Sequence, residues 1–230
     1  MTQPGIRRWL PSTSDGVRAI ALLLHGGEET SKARAHRLRP AYVRMLPFAY
    51  DLHRAGRAHG IAVWLVCNRF RGWNKPDLDP VADARVALER VHALHPGAPV
   101  TLVGHSMGGR VALRVADDPA VVGVCALAPW TTEKDHVEQL AGREVLIAHG
   151  DRDTVTDPKE SYAYAERAKA VTETVCRFDI RNEGHSMLRR SGEWTRLVRR
   201  FVLGTLADQA RSDIAAAMAM ASPAGLRVPL

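Results

Sequence analysis

From residue 18 to residue 206, short apolar runs alternate with longer segments of helical periodicity, and this alternation limits the fold more than any other feature. Residues 17–24, 61–67, 99–103, 121–127, 144–148 and 174–180 read as strands, several of them apolar on both faces. Residues 40–58, 80–95, 107–116, 158–170 and 191–206 read as helices, and 132–140 as a short helical segment. Asp79 and Asp157 stand where two of these helices need an N-cap. Repeated strand–helix–strand units return each strand in the same direction, so the expected class is α/β: a mostly parallel central sheet with helices on both faces. That domain is expected over residues 1–207. Residues 208–230 change character and read as a tail, with an Ala- and Met-rich helix near 214–221 and a loose end carrying Pro223, Gly225 and Pro229.

Composition narrows the class of protein. Apolar residues make up 46% of the 230 and charged residues 25%, as expected of a soluble globular chain. No apolar run approaches the ~20 residues that cross a bilayer. Residues 1–14 carry Arg7 and Arg8 with no apolar stretch behind them, so no secretory leader is read and a cytoplasmic location is expected. The net charge of +7 raises the question of nucleic acid. The basic residues are dispersed, however, and the densest cluster (Arg189, Arg190, Arg196, Arg199, Arg200) is interrupted by Leu197, Val198 and Phe201, as on a solvated helix face. Neither a nucleic-acid nor a membrane partner is expected. Cys67, Cys125 and Cys176 lie far apart on strand-like segments, the pattern of buried thiols rather than of disulfides or a zinc site.

Chemistry enters with Gly104-His105-Ser106-Met107-Gly108, a G-x-S-x-G pattern set between a strand and a helix. Random placement would give about 0.05 such matches in a chain of this composition, so the context matters as much as the pattern. A serine on so sharp a turn needs very small neighbours two residues away on each side, and Gly104 and Gly108 meet that need. A hydroxyl attacks poorly without a base. His185, in Glu183-Gly184-His185-Ser186 after the last strand, is placed to serve. The neighbouring His105 is expected to point away from the site, and His92 and His95 to lie at a helix end in surface or capping roles. The base needs a carboxylate to orient it. His149-Gly150-Asp151-Arg152-Asp153 supplies one in Asp153, with Asp151 read as a hydrogen-bonder that structures the loop. An oxyanion would need two fixed donors, and the backbone N–H groups of Met107 and of Gly27, in His25-Gly26-Gly27, are the candidates.

These patterns, together with Arg71-Gly72-Trp73-Asn74, resemble the α/β-hydrolase superfamily in residues and in order. The resemblance implies Ser106 as nucleophile, His185 as base and Asp153 as acid, with no metal and no organic cofactor required. It departs from many members in lacking a helical cap, since only residues 128–143 separate two strands, and in a shortened N-terminal hairpin at 5–15. The expected partner is a small-molecule ester of modest acyl length. Three alternatives stay open: a thioester on the same machinery, a lactone or amide, and a non-catalytic binding protein on this fold. Arg69, Arg71 and Trp73 either contact an anionic substrate or hold their loop. Trp130 either walls the pocket or packs beneath the segment that replaces the cap.

Overall fold

The computed structural model describes residues 3–13 and 16–230. The parts of the leader and hairpin readings that fall on residues 1–2 and 14–15 lie outside the described residues. Strand β1 (Gly5–Trp9) runs antiparallel to β3 (Ile61–Cys67), and the remaining strands are parallel: β2 (Ala19–Leu24), β4 (Val100–His105), β5 (Val121–Leu127), β6 (Glu144–Gly150), β7 (Val175–Ile180) and β8 (Val228–Pro229). Their order across the sheet is β1-β3-β2-β4-β5-β6-β7-β8. From β2 the chain steps to one side to form β3 and then to the other to form β4. The carboxyl ends of β2 and β4 therefore flank the switch point, where open sheets of this kind bind ligands.

Alternation along β2 explains why both faces are covered. Ile20, Leu22 and Leu24 join one core with Trp64, Leu102 and Val111, while Ala21 and Leu23 join the other with Val63, Leu65 and Phe201. Helices α3 (Asp79–Leu94), α4 (Met107–Arg114) and α5 (Pro158–Lys169) cover the first face. Helices α2 (Leu46–Gly56), α6 (Ser191–Ala207) and α7 (Ser212–Ala219) cover the second.

Several expectations are corrected. The helix read at 40–58 is two, α1 (Pro40–Val43) and α2, because Pro47 suits a helix's first turn and cannot continue one from behind. Asp79 is not a cap: Leu78 holds that position at φ 50°, and the Asp79 carboxylate accepts from Lys32 Nζ (2.7 Å) and Asn74 Nδ2 (2.8 Å). Asp157 does cap α5, accepting from the Lys159 backbone N–H at 2.8 Å. The segment read as helical at 132–140 holds only a 3-10 turn, Glu138–Leu140. The end of the chain is not loose. After α7 it runs through a 3-10 turn at Ala224–Leu226 into β8, and Arg190 Nη1 donates to the Leu230 carbonyl at 2.7 Å.

Candidate active site

Ser106 follows β4 at φ 56°, ψ −120°, a conformation that costs a non-glycine residue about 1–3 kcal/mol. The turn closes so tightly that a Cβ on Gly104 would lie 2.1 Å from the Gly108 carbonyl oxygen, and one on Gly108 2.2 Å from that of Leu24. Hydrogen bonds hold the turn in place. Ser106 N–H donates to Leu127 O (2.9 Å), and Ser106 O accepts from Trp130 N–H (3.2 Å). The hydroxyl thus stands at the rim of the sheet, with α4 starting beneath it.

The strand ends beyond β6 and β7 bring the other two groups to the same rim. His185 Nε2 lies 3.0 Å from Ser106 Oγ, and His185 Nδ1 lies 2.7 Å from Asp153 Oδ2. Nδ1–H facing a carboxylate fixes the tautomer and leaves Nε2 free to accept the serine proton. The Asp153 side chain is fully buried. Its Oδ1 accepts from the backbone N–H groups of Val155 (2.8 Å) and Thr156 (3.0 Å). Its Oδ2 accepts from Thr156 Oγ1 (2.9 Å) and His149 Nε2 (3.1 Å). Burial alone would raise this carboxyl's pKa, but the donors from His149, His185, Thr156 and Val155 outweigh it and hold the group far below the usual carboxylate range.

His149 and Thr156 were not singled out by sequence reasoning, although His149 stood inside the quoted motif. His149 is buried; its Nδ1 lies 2.8 Å from Ser161 Oγ, and burial lowers its pKa. Arg177 Nε reaches the same Ser161 hydroxyl at 3.3 Å. Two histidines therefore converge on one oxygen of Asp153. His105 also differs from expectation. It points toward the site, donating from Nε2 to the His185 carbonyl (3.0 Å), with the two rings 4.8 Å apart. Burial, then the neighbouring His185, pushes its pKa down to about 3, so it stays neutral and carries its one proton on Nε2.

The first loop is braced from below. His25 Nδ1 donates to Gly26 O (2.6 Å), and its Nε2 accepts from Asn68 N–H (3.2 Å). A Cβ on Gly26 would lie 3.2 Å from Ser106 Cβ, and Gly27 packs against the Met107 side chain and the Arg71 carbonyl. Gly27 and Met107 thus sit together beside the serine, one from each flank of the switch point.

The structure corrects the pocket candidates. Arg69 turns its guanidinium onto the buried Asp83, with Asp79 at 3.7 Å, and holds its own loop. Arg71 Nε donates to Arg34 O at 3.1 Å. Trp73 is core, 2% exposed. Arg110 lies between two indoles, 4.4 Å from the Trp73 ring centre and 4.6 Å from that of Trp130, and bonds Asp135 at 3.0 Å. Trp130 is half-buried and lines a depression with Lys75, Thr132, Val155 and Thr156. Asp151 is exposed, and its backbone N–H donates to Ile180 O at 3.1 Å. His92 pairs with Asp118 at 3.0 Å, and His95 meets the edge of Trp64. The three cysteines are buried and unpaired, and burial raises their thiol pKa values.

The segment that stands in place of a cap is pinned to the domain. Arg167 donates to the carbonyls of Asp135 (2.7 Å) and Thr132 (3.2 Å), and Tyr164 Oη to that of His136 (2.8 Å). Among the described residues, no helix is long and apolar enough to cross a membrane.

Comparison with known proteins places this architecture. No curated protein sequence matches the chain. Among solved structures, Est1E from Butyrivibrio proteoclasticus is similar at TM-score 0.68 and 14% identity, covering 88% of this chain and 94% of its own. A serine hydrolase without lid from Xanthomonas campestris is similar at 0.65 and 19%, covering 91% and 98%. The esterase Pf2001 of Pyrococcus furiosus is similar at 0.65 and 17%, covering 88% and 91%. At these identities the likeness is one of fold. A model of the alpha/beta hydrolase family matches residues 21–229, nearly the whole chain. The chain belongs to the alpha/beta hydrolase family.

Proposed function

We propose that this protein is a serine hydrolase that cleaves carboxylic esters through an acyl-enzyme on Ser106. The observation that carries the reading is the unbroken relay from Ser106 Oγ through His185 to a buried, ionised Asp153, at 3.0 and 2.7 Å. The named activities of two similar structures, an esterase and a serine hydrolase, point the same way.

His185 Nε2 takes the hydroxyl proton as Ser106 Oγ bonds to the ester carbonyl carbon. The carbonyl oxygen becomes an oxyanion beside the N–H groups of Gly27 and Met107, where each well-aimed donor contributes about 3 kcal/mol. The C–O bond to the alcohol then breaks, and the alcohol leaves with the proton from His185. Water repeats the sequence: His185 takes its proton, the hydroxide portion attacks the acyl carbon, and Ser106 leaves reprotonated. Asp153 stays ionised throughout and stabilises the imidazolium.

The test combines labelling with mutation. A fluorophosphonate probe should attach covalently to Ser106, and Ser106→Ala should lose about 10³-fold or more in kcat on p-nitrophenyl butyrate. An unlabelled Ser106, or a Ser106→Ala variant as active as the parent, would exclude the mechanism.

A further inference from the structure

Several arginines are consumed by internal contacts: Arg69 by Asp83, Arg110 by Asp135, Arg177 by Asp179 and Arg190 by Glu193. Three are not. Arg44, Arg152 and Arg189 make no ion pair or side-chain hydrogen bond among the described residues. All three line one depression of about 760 Å³, whose wall includes His185 and Ser186. Arg152 and Arg189 are exposed and Arg44 is half-buried. The one carboxylate in that lining, Glu183, is buried and turned inward, accepting from the backbone N–H groups of Gly184 (2.9 Å) and Arg190 (2.7 Å). Positive charge in this depression is therefore left without an acidic partner.

The three arginines come from separate parts of the chain: one follows α1, one lies between Gly150 and Asp153, and one lies just before α6. Only the folded rim brings them together, around the edge of the proposed base. Chemistry then assigns the occupant. His185 must hand its proton to the leaving oxygen, so the alcohol portion of the ester departs on the His185 side of the serine, the side this depression lines. Guanidinium groups suit carboxylate and phosphate oxygens, with planar, paired donors. An adjoining apolar groove shares Arg44, Ser186 and Leu188 with the depression and adds Val43, Phe48 and Met187.

We infer that this depression is an anion subsite selecting esters whose alcohol portion carries a carboxylate or phosphate. The inference rests on the acyl-transfer reading above and adds the substrate class to it. An alcohol portion that bridges apolar surface and negative charge would lie across the groove and the arginine rim together. Attraction to the rim would also speed capture of anionic substrates, an effect that salt suppresses.

Matched substrates test it: methyl 4-(butyryloxy)benzoate as the neutral ester, 4-(butyryloxy)benzoate as the carboxylate, and 4-(butyryloxy)phenyl phosphate as the phosphate. The readout is the charged-to-neutral ratio of kcat/KM, which cancels effects on folding and on the shared chemistry. Arg44→Gln, Arg152→Gln and Arg189→Gln should each lower that ratio roughly 3-fold, and the triple variant about 30-fold, with the parent's ratio also falling in 0.5 M NaCl. Arg90→Gln, on α3 toward the far edge, should leave the ratio unchanged. The relative fall for carboxylate and phosphate shows which anion the rim prefers. If the parent hydrolyses these esters and the triple variant keeps its ratio, the anion subsite is overturned while the hydrolase reading stands. If the parent hydrolyses none of them and Ser106 resists the fluorophosphonate, both are overturned.

Discussion

On one flank of His185, the Asp153 carboxylate is buried and accepts from His185, His149, Thr156 and the Val155 backbone. On the other flank, Arg44, Arg152 and Arg189 line a depression, and among the described residues no carboxylate is bonded to any of them. The same residue thus borders a region where polar atoms are paired away from water and one where charge stands open to it. A paired, buried network fixes geometry, because any displacement leaves a polar atom unsatisfied. An open, unpaired one fixes nothing within the protein and remains available to a ligand. On the proposed function, the first flank sets the rate for every ester and the second sets which ester is chosen.

Breaking the closed flank at its centre should have the largest effect. Asp153→Asn replaces an acceptor by a group that can donate, favouring the wrong tautomer of His185, and kcat on a neutral ester should fall about 10⁴-fold. The measurement is steady-state hydrolysis beside a thermal melt. A variant that folds and keeps a tenth of the activity would show that the carboxylate does not orient the base.

Acid should also act on the buried groups beside the site, while the arginines of the open flank stay charged at any pH used. His105 has its pKa lowered from 6.5 to about 3, so between those values the unfolded chain binds a proton that the folded chain refuses. Stability therefore falls as pH drops through that window, by about 1.4 kcal/mol per unit for this group. Asp153, whose pKa is depressed, adds to the loss once pH falls below the ordinary carboxylate value. Urea denaturation at pH 7, 5.5 and 4 reads the slope, and His105→Gln should flatten it. A slope indifferent to that substitution would contradict the assignment.

The smallest effect separates His149 from a packing residue. Removing its N–H from Asp153 Oδ2 takes away one of the donors that hold the carboxylate against His185, so the base is aimed less well, and it leaves more negative charge on the shared oxygen. His149→Leu should therefore lower kcat/KM about 10-fold through the lost orientation and move the acid limb of its pH profile upward through the added charge. His149→Gln, which keeps a donor, should restore much of the loss. Profiles that superimpose would reduce His149 to packing.

The apolar runs, the glycine pair around Ser106 and the order of the four motifs were legible because each expresses a local demand. A strand needs alternating or continuous apolar residues, a helix its spacing, and a sharp turn its missing side chains, all within a few residues of one another. Partnerships were not legible. Nothing near His105 in sequence announces a bond to the carbonyl of residue 185, and nothing near Val228 announces pairing with β7. Trp73 read as either a substrate contact or a loop residue, and Arg110 as an unremarked helix residue, until the fold set one against the other, with Trp130 beyond. Hydrogen bonds, ion pairs and ring contacts depend on which strand ends and loops converge, a property of the whole sheet. The sequence by itself determined which elements form and which groups can do chemistry; the tertiary structure decided which of those groups meet, which arginines are spent inside the protein, and which are left for a substrate.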